Sequence, residues 1–410
     1  MRKFSKILIA VLFLYACSDD QPQIIEPINP VNSEVINVSG MLQGVHNWTS
    51  NNIYVLNQKV VVDSEATLNI EAGTIIKGTA GQGSLASALV IARGGMINAN
   101  GTENSPIIFT SVSDNIEIGQ SSGTNLGPND QGLWGGVLIL GNAPCSFSGD
   151  VSELQIEGIP ADDTFGLYGG NNPNDNSGSF TYVSIRHGGA VIGADNEING
   201  LTLGGVGDNT IINNVEVVAN SDDGIEFFGG TVNANNLLIW ASGDDGIDID
   251  QAYSGTISNS VVILGDNSDH ALEIDGPEGS LFDSFILNNI TLIGNEITEN
   301  GEYADYRSNA MGATNNIYAY GFKSNSDVEI DNDGVAINYN NGDLSFGEWQ
   351  IVIPSEVDNV EDIFINKAES VTISGFGSEA TAISEGANSV GCETSELSWT
   401  YSNAKAALGW

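Results

Sequence analysis

From Val38 onward the chain is built of short runs in which apolar and polar residues alternate. That is the period of a strand with one buried face. Ile53–Leu56, Val60–Val62, Thr67–Ile70, Thr74–Ile76, Ala88–Ile91, Met96–Ala99 and Pro106–Thr110 are such runs. Bends rich in Gly, Asn and Asp separate them, among them Glu71-Ala72-Gly73 and Gly94-Gly95. Heptads are absent and helical spacing is rare, so the pattern predicts strands in stacked sets of about three.

Between Ile211 and Ile330 the sets repeat. Asn213, Asn235, Asn259, Asn288 and Asn315 each precede an apolar strand, at spacings of 22, 24, 29 and 27 residues. A second register carries Asp223-Gly224-Ile225-Glu226-Phe227, Asp245-Gly246-Ile247-Asp248-Ile249 and His270-Ala271-Leu272-Glu273-Ile274. A steady period with drifting loop lengths marks a stacked repeat. Stacking sets like residues above one another, which predicts a ladder of Asn amides. Ile225/Ile247/Leu272 and Phe227/Ile249/Ile274 then face the core, and Glu226, Asp248 and Glu273 point outward.

The expected fold is all-β, a right-handed parallel β-helix with excursions at 111–135, 143–180 and near 295–308. Roughly a dozen rungs, each rising about 4.8 Å, would make a rod about 60 Å long. The expected division is a signal segment at 1–16, a tether at 17–38, the β-helix at 39–345, and final strands with a C-terminal cap at 346–410. In the tail, Leu397, Trp399 and Tyr401 alternate with Ser398, Thr400 and Ser402, which predicts one more strand. Ser402 or Asn403 can then cap a short helix over Ala404–Leu408. So apolar a tail suits the open end of the rod.

Composition adds a core and a charge. The 410 residues are 41% hydrophobic, enough to bury a large interior. Lys and Arg number 11 against 53 Asp and Glu, a net charge of −42. Such a surface repels nucleic acid and anionic lipid and attracts divalent cations. Arg2, Lys3 and Lys6 precede an apolar run from Ile7 to Leu14 that is too short to span a membrane. Cys145 and Cys392 can pair in an oxidising compartment, or stand as two separate buried thiols.

The candidate chemistry is acidic. Asp222/Asp244/Asp269, Asp223/Asp245/His270 and Glu226/Asp248/Glu273 stack at spacings of 22 and 25, and Asp250/Asp275 continue at 25. Carboxylates one rung apart repel unless a cation, a proton or solvent intervenes. Asp222, Asp223, Glu226, Asp244, Asp245, Asp248, Asp250, Glu273 and Asp275 are therefore candidate ligands for Ca²⁺, a hard cation that takes oxygen donors. The competing readings are a solvated acidic face, and turn aspartates that satisfy backbone N–H groups. Asp223, Asp245, Asp248 and Glu273 are also candidate catalytic carboxylates. Arg186, beside His187, is the candidate for a lyase-type base, with a plain charge partner as its alternative. The run Asn172–Gly178 has the alternating oxygens of a calcium loop but no closing Glu, and reads as a turn-rich loop. Walker, zinc and nucleophile-elbow motifs are absent.

Several stretches resemble known families. Leu14-Tyr15-Ala16-Cys17 resembles a bacterial lipobox, which implies cleavage before Cys17 and lipidation there. Ser18-Asp19-Asp20 resembles the surface-export signal of Bacteroidota lipoproteins. The Asn ladder and Asp-Gly-Ile strands resemble the pectate-lyase-like β-helix superfamily. Gly132–Pro144, Tyr168–Gly178 and Asp222–Gly230 are similar to a group of Bacteroidota β-helix lipoproteins without an assigned activity. The implied place is the outer membrane, lipid-anchored at the cell surface. The residue sets of the superfamily's lyases and polygalacturonases are not matched cleanly. The expected function is therefore a non-catalytic module binding a polysaccharide or another extracellular ligand, with Ca²⁺. The alternatives are a polysaccharide hydrolase or lyase working through the ridge carboxylates, and an adhesion or scaffold protein.

Overall fold

The computed structural model describes residues 33–160, 163–191, 197–298, 300–406 and 408–410. The signal segment, Cys17 and the expected tether up to residue 32 lie outside the described residues. Strand pairing begins at Val35, where Val35–Val38 run in register with Ile53–Leu56, so the rod starts inside the segment expected to be tether.

Three parallel faces wind around one core. The first face stacks Ile75–Gly78 and Ile107–Ser111, then the C-terminal halves of Gly178–Arg186, Ile211–Val218, Ala234–Trp240, Thr256–Ile263, Phe285–Ile293 and Gly312–Tyr320, and then Trp349–Ile351 and Ala380–Ala382. The second face stacks Ala88–Ile91, Val137–Leu140, Leu201–Gly204, Ile225–Phe228, Ile247–Asp250, Leu272–Ile274, Ala304–Tyr306, Val328–Ile330 and Phe364–Asn366. The third face stacks Val45–Trp48, Thr67–Ile70 and Met96–Asn100, then the N-terminal halves of the same long strands, and ends at Leu344–Phe346. This is a right-handed parallel β-helix, the hand that strand twist imposes on parallel crossovers. It runs on past residue 345, the expected boundary, to the strand at Ala380–Ala382. Among the described residues no helix is long and apolar enough to cross a membrane.

The Asn column explains how the chain turns from the third face to the first. Asn214, Asn236, Asn259, Asn289 and Asn316 sit at φ of 54°, 56°, 50°, 58° and 57°. Among non-glycine residues, Asn enters this left-handed region most readily, so each corner takes a single residue. Amides bridge successive rungs, from Asn236 Nδ2 to Asn213 Oδ1 at 2.9 Å, Asn259 to Asn236 at 2.6 Å and Asn316 to Asn288 at 2.9 Å. One position differs from the expected column. Asn235 pairs with Ser258, and Ser258 with Asn288, while Asn259 occupies the corner. The ladder therefore uses two adjacent columns.

The three faces present different outer surfaces. The first is apolar and covered. Ile75 and Ile108 pack under Ile116 of the first excursion. Leu238, Val261 and Ile263 pack under Leu397, with Cys392, Leu408 and Trp410 alongside. The tail is not the strand expected at 397–402. It makes a 3-10 turn at Thr394–Leu397 and an α-helix at Tyr401–Ala406. Nor does its terminal segment close the end of the rod. It runs back along the first face, from Cys392 on Thr291 (2.9 Å) and Glu393 on Asn259 (2.6 Å) to Ser402 on Glu216 (2.7 Å). Outward-facing Leu238 and Val261 explain this, because that side of the rod needs cover. The core of the last rungs is closed instead by Tyr339, Phe346, Phe364 and Phe376.

Cys145 and Cys392 do not pair. Cys145 sits over the second face, its Sγ 3.4 Å from the Phe228 carbonyl oxygen, whereas Cys392 belongs to the strap on the first face.

The third face is uncharged. One outward column runs Ser179, Ile211, Asn233, Thr256, Ile286, Ala313 and Ser345. The other runs Thr181, Asn213, Asn235, Ser258, Asn288 and Asn315. The second face begins apolar, with Val61, Val90 and Leu138 under Phe147, Ile156, Ile159 and Tyr168 of the long excursion. It then turns acidic.

Candidate acidic ridge

Each acidic strand of the second face starts at a tight corner. A Cβ on Gly224 would come within 2.6 Å of the Gly246 carbonyl, and one on Gly246 within 2.7 Å of the Ala271 carbonyl. Glycine is needed there because the next rung's backbone comes so close. The aspartate before each glycine is thereby held against the next rung. Asp223 Oδ1 accepts the Asp245 N–H at 2.9 Å, and Asp245 Oδ1 accepts the His270 N–H at 2.8 Å. These aspartates satisfy backbone N–H groups across rungs, not within their own turn.

Beyond the glycine, one outward position per rung carries a carboxylate through five rungs. Glu226 pairs with Asp248, Asp248 with Glu273, Glu273 with Asp305, and Asp305 with Glu329. The sequence pattern reaches the first three. Asp305 and Glu329 escape it because the loops ahead of their strands break the Asp-Gly signature. Their alternation in Ala304-Asp305-Tyr306 and Val328-Glu329-Ile330 is the signal that remains.

The ridge divides into two halves. In the first, Asp223 and Glu226 are buried and Asp248 partly so, and one oxygen of each lies within 4.8 Å of the others. Asn199 Nδ2 donates to Glu226 Oε2, while Asn199 Oδ1 and Asp248 Oδ1 have no hydrogen-bond partner. Burial, followed by repulsion from Asp248 and Asp245, holds the Asp223 carboxyl well above its usual range. Glu226 and Asp248 are raised in the same way, by burial and by their acidic neighbours. Burial and then Glu157 and Asp244 push Asp222 up to about 7. Burial and then Asp275 push Asp250 up to about 7. Asp244 is raised to about 6, by burial and Asp245. Glu157 and Glu197 reach this half from loops that no repeat register could place.

The second half carries its own cations. Arg307 bonds Glu273 and, at 3.1 Å, Asp275. Lys367 bonds Glu329. At the junction, His270 Nδ1 lies 2.9 Å from Asp245 and 3.5 Å from Glu273, and its Nε2 is 3.8 Å from Glu302. Burial opposes the His270 charge, yet the Asp245 hydrogen bond and nearby acids raise it to about 9. Glu302, Asp327 and Glu329 form a further acidic group here, unseen in the sequence.

Arg186 belongs elsewhere. It lies on the first face, buried, its guanidinium 4.3 Å from the Tyr401 ring centroid. Its Nε donates to Ser184 Oγ at 2.8 Å, and Ser184 donates to the fully buried Glu216. Glu216 also accepts the N–H groups of Tyr401 and Ser402. Arg186 thus anchors the C-terminal strap and does not reach the ridge. His187 is likewise buried, its Nδ1 2.8 Å from the Asp130 carbonyl.

Chemically, the first half offers a cation three carboxylates and an amide oxygen. Oxygens bound to one Ca²⁺ at about 2.4 Å can lie at most about 4.8 Å apart, which the cluster satisfies. A lyase-type base is harder to find, because Arg307 is locked between carboxylates that stabilise its charge. Searches of curated proteins and of solved structures each returned no match. The sequence model of the pectate-lyase-like β-helix domain matches residues 40–402, nearly the whole described rod, and the chain belongs to that family.

Proposed function

We propose that this chain is a lipid-anchored surface protein that binds Ca²⁺ on the first half of its ridge and holds an extracellular ligand without cleaving it. The observation that carries the reading is the cluster of Asp223, Glu226 and Asp248, drawn together with no Lys or Arg paired to them among the described residues. Burying like charges at this range costs several kcal/mol unless a counter-ion or protons offset it. The neighbouring half meets the same demand with Arg307 and Lys367, which supports reading the first half as a place for an external cation. The lipid anchor rests on the Leu14–Cys17 motif, and the Bacteroidota cell surface on the acidic residues that follow it.

A catalytic reading draws on one feature, that burial and neighbouring acids push the Asp222 and Asp250 carboxyls up to about 7. Calorimetric titration of the metal-free protein with Ca²⁺ tests the cation site. Saturable binding lost in Asp248→Asn supports it, and absence of heat at millimolar Ca²⁺ overturns it. Incubation with a polysaccharide panel tests catalysis. New reducing ends or unsaturated products, abolished in Asp245→Ala, would make the protein an enzyme.

A further inference from the structure

We propose that the third face is a docking surface for an uncharged polysaccharide chain. This goes beyond the cation site and uses a different side of the rod. Its outward positions from Ser179 to Ser345 carry no Asp, Glu, Lys or Arg, in a chain with 53 acidic residues. The first face is covered by the strap and the second is acidic, which leaves this as the neutral open side among the described residues.

The chemistry fits a hydroxyl-rich, neutral polymer. Asn213 and Asn288 each accept one amide bond along the ladder, and Asn236 donates one and accepts one. An amide has two donors and two acceptor lone pairs, so donors and acceptors remain for a ligand. The rungs repeat them about every 4.8 Å. Ile211 is 55% exposed and Ile286 44%, and each offers a flat aliphatic patch to the C–H face of a sugar ring. A shallow trough between two rungs is lined by Thr210, Ile211, Asn213, Asn233, Asn235 and Asn236. A net charge of −42 disfavours nucleic acid or a polyuronate here. Two isolated aliphatic residues are too little for the apolar centre of a protein interface.

The test is affinity electrophoresis and pull-down of the purified protein with neutral glucans, mannan and xylan, alongside polygalacturonate. Asn233→Arg, Thr256→Arg and Ile286→Arg fall on three consecutive rungs of one column. Retention by at least one neutral polymer, independent of salt and Ca²⁺, is expected. The triple variant should bind it about tenfold more weakly. Ile286→Arg alone, at an exposed position, should bind about threefold more weakly and serves if the triple variant fails to fold. Asp248→Asn should bind the neutral polymer as the wild type does, even if it loses Ca²⁺. No retention on any neutral polymer, or unchanged binding by Ile286→Arg, would overturn the proposal. Ca²⁺-dependent retention on polygalacturonate alone would also overturn it, by moving the ligand to the ridge.

Discussion

The two halves of the acidic ridge share a fold, a column and a residue type, and they manage the same repulsion in opposite ways. From Glu273 onward the protein supplies its own cations, with Arg307 across Glu273 and Asp275 and Lys367 on Glu329. Before Glu273 no Lys or Arg pairs with the ridge among the described residues, His270 reaches Asp245 from the junction, and Asp223, Glu226 and Asp248 face one another with raised affinity for protons. The register shows where the difference arises. The column at the C-terminal end of these strands runs Phe228 and Asp250 in the first half, Asp275 at the junction, then Arg307, Asp331 and Lys367. A parallel β-helix thus tunes one surface rung by rung while its interior stays apolar throughout.

The largest expected effect is on pH dependence. Asp222 and Asp250 rise from an ordinary carboxylate value to about 7 on folding. A raised folded pKa means that the folded state holds the proton more tightly. The stability is then fully present below about pH 4 and is lost as pH rises through 7. At about 1.4 kcal/mol per unit, the two sites together amount to several kcal/mol. Metal-free protein is expected to melt higher at pH 5 than at pH 8, the reverse of ordinary acid lability. A melting temperature that climbs over that interval would mean that folding does not raise these carboxyls.

Calcium comes next. A cation on the first half replaces the protons, so stabilisation should be larger at pH 8 than at pH 5. At a concentration one hundred times Kd it reaches about 2.7 kcal/mol. Asp248→Asn is expected to lose the calcium shift and, by removing one repelling charge, to melt higher than the wild type without metal. Scanning calorimetry with and without a chelator reads both. An intact shift in that variant would put the ion elsewhere.

How much of this was legible follows from periodicity. Asp222 to Asp250 could be read because the 22-residue rung repeats Asp-Gly-Ile almost unchanged. Asp305 and Glu329 could not, because the loops ahead of them replace the Asp-Gly corner with Glu302-Tyr303 and Ser326-Asp327. Arg307 and Lys367 stand alone in sequence, and only the stacking brings them over acids one rung back. The Asn column was legible to within one residue, and failed at Asn259 because Ser258 and Asn259 can exchange roles in composition but not in φ. The tail misled for a different reason. Alternation in Leu397–Ser402 signals one buried side, and a strap lying on an apolar face has that as surely as a strand does.

Arg307→Ala turns the second half into a copy of the first. Glu273 is buried and loses its partner, while Arg307 itself is about 40% exposed, so solvent screens part of the pair. A loss of about 2 kcal/mol is expected at pH 7, below the 3–5 of a fully buried pair. The informative result lies in the metal response. The variant should gain additional stabilisation from Ca²⁺ beyond that of the wild type, because Asp275 then lacks a cation and Glu273 keeps only His270. A drop in stability with no added calcium response would mean that cation-free carboxylates are not sufficient to recruit an ion.

Lys367→Ala makes the same change at the last acidic rung, where its effect should be smallest. The Lys367 side chain is 49% exposed and its ammonium is a single point charge on Glu329, without the two-carboxylate bridge that Arg307 makes. Solvent therefore screens most of the attraction, and the loss should be about 1 kcal/mol or less and shrink further in high salt. Glu329, only 4% exposed, should not stay charged and alone. It can share a proton or an ion with Glu302 and Asp327, and Glu302 is already raised to about 7 by burial and Asp327. Losing the Lys367 charge, which lowers Glu302, should move that titration upward. Carboxyl resonances followed by NMR between pH 5 and 9 would show it. A Glu302 titration that stays in place would mean that the second half is held together by Arg307 and His270 alone, with Lys367 only attached to its edge.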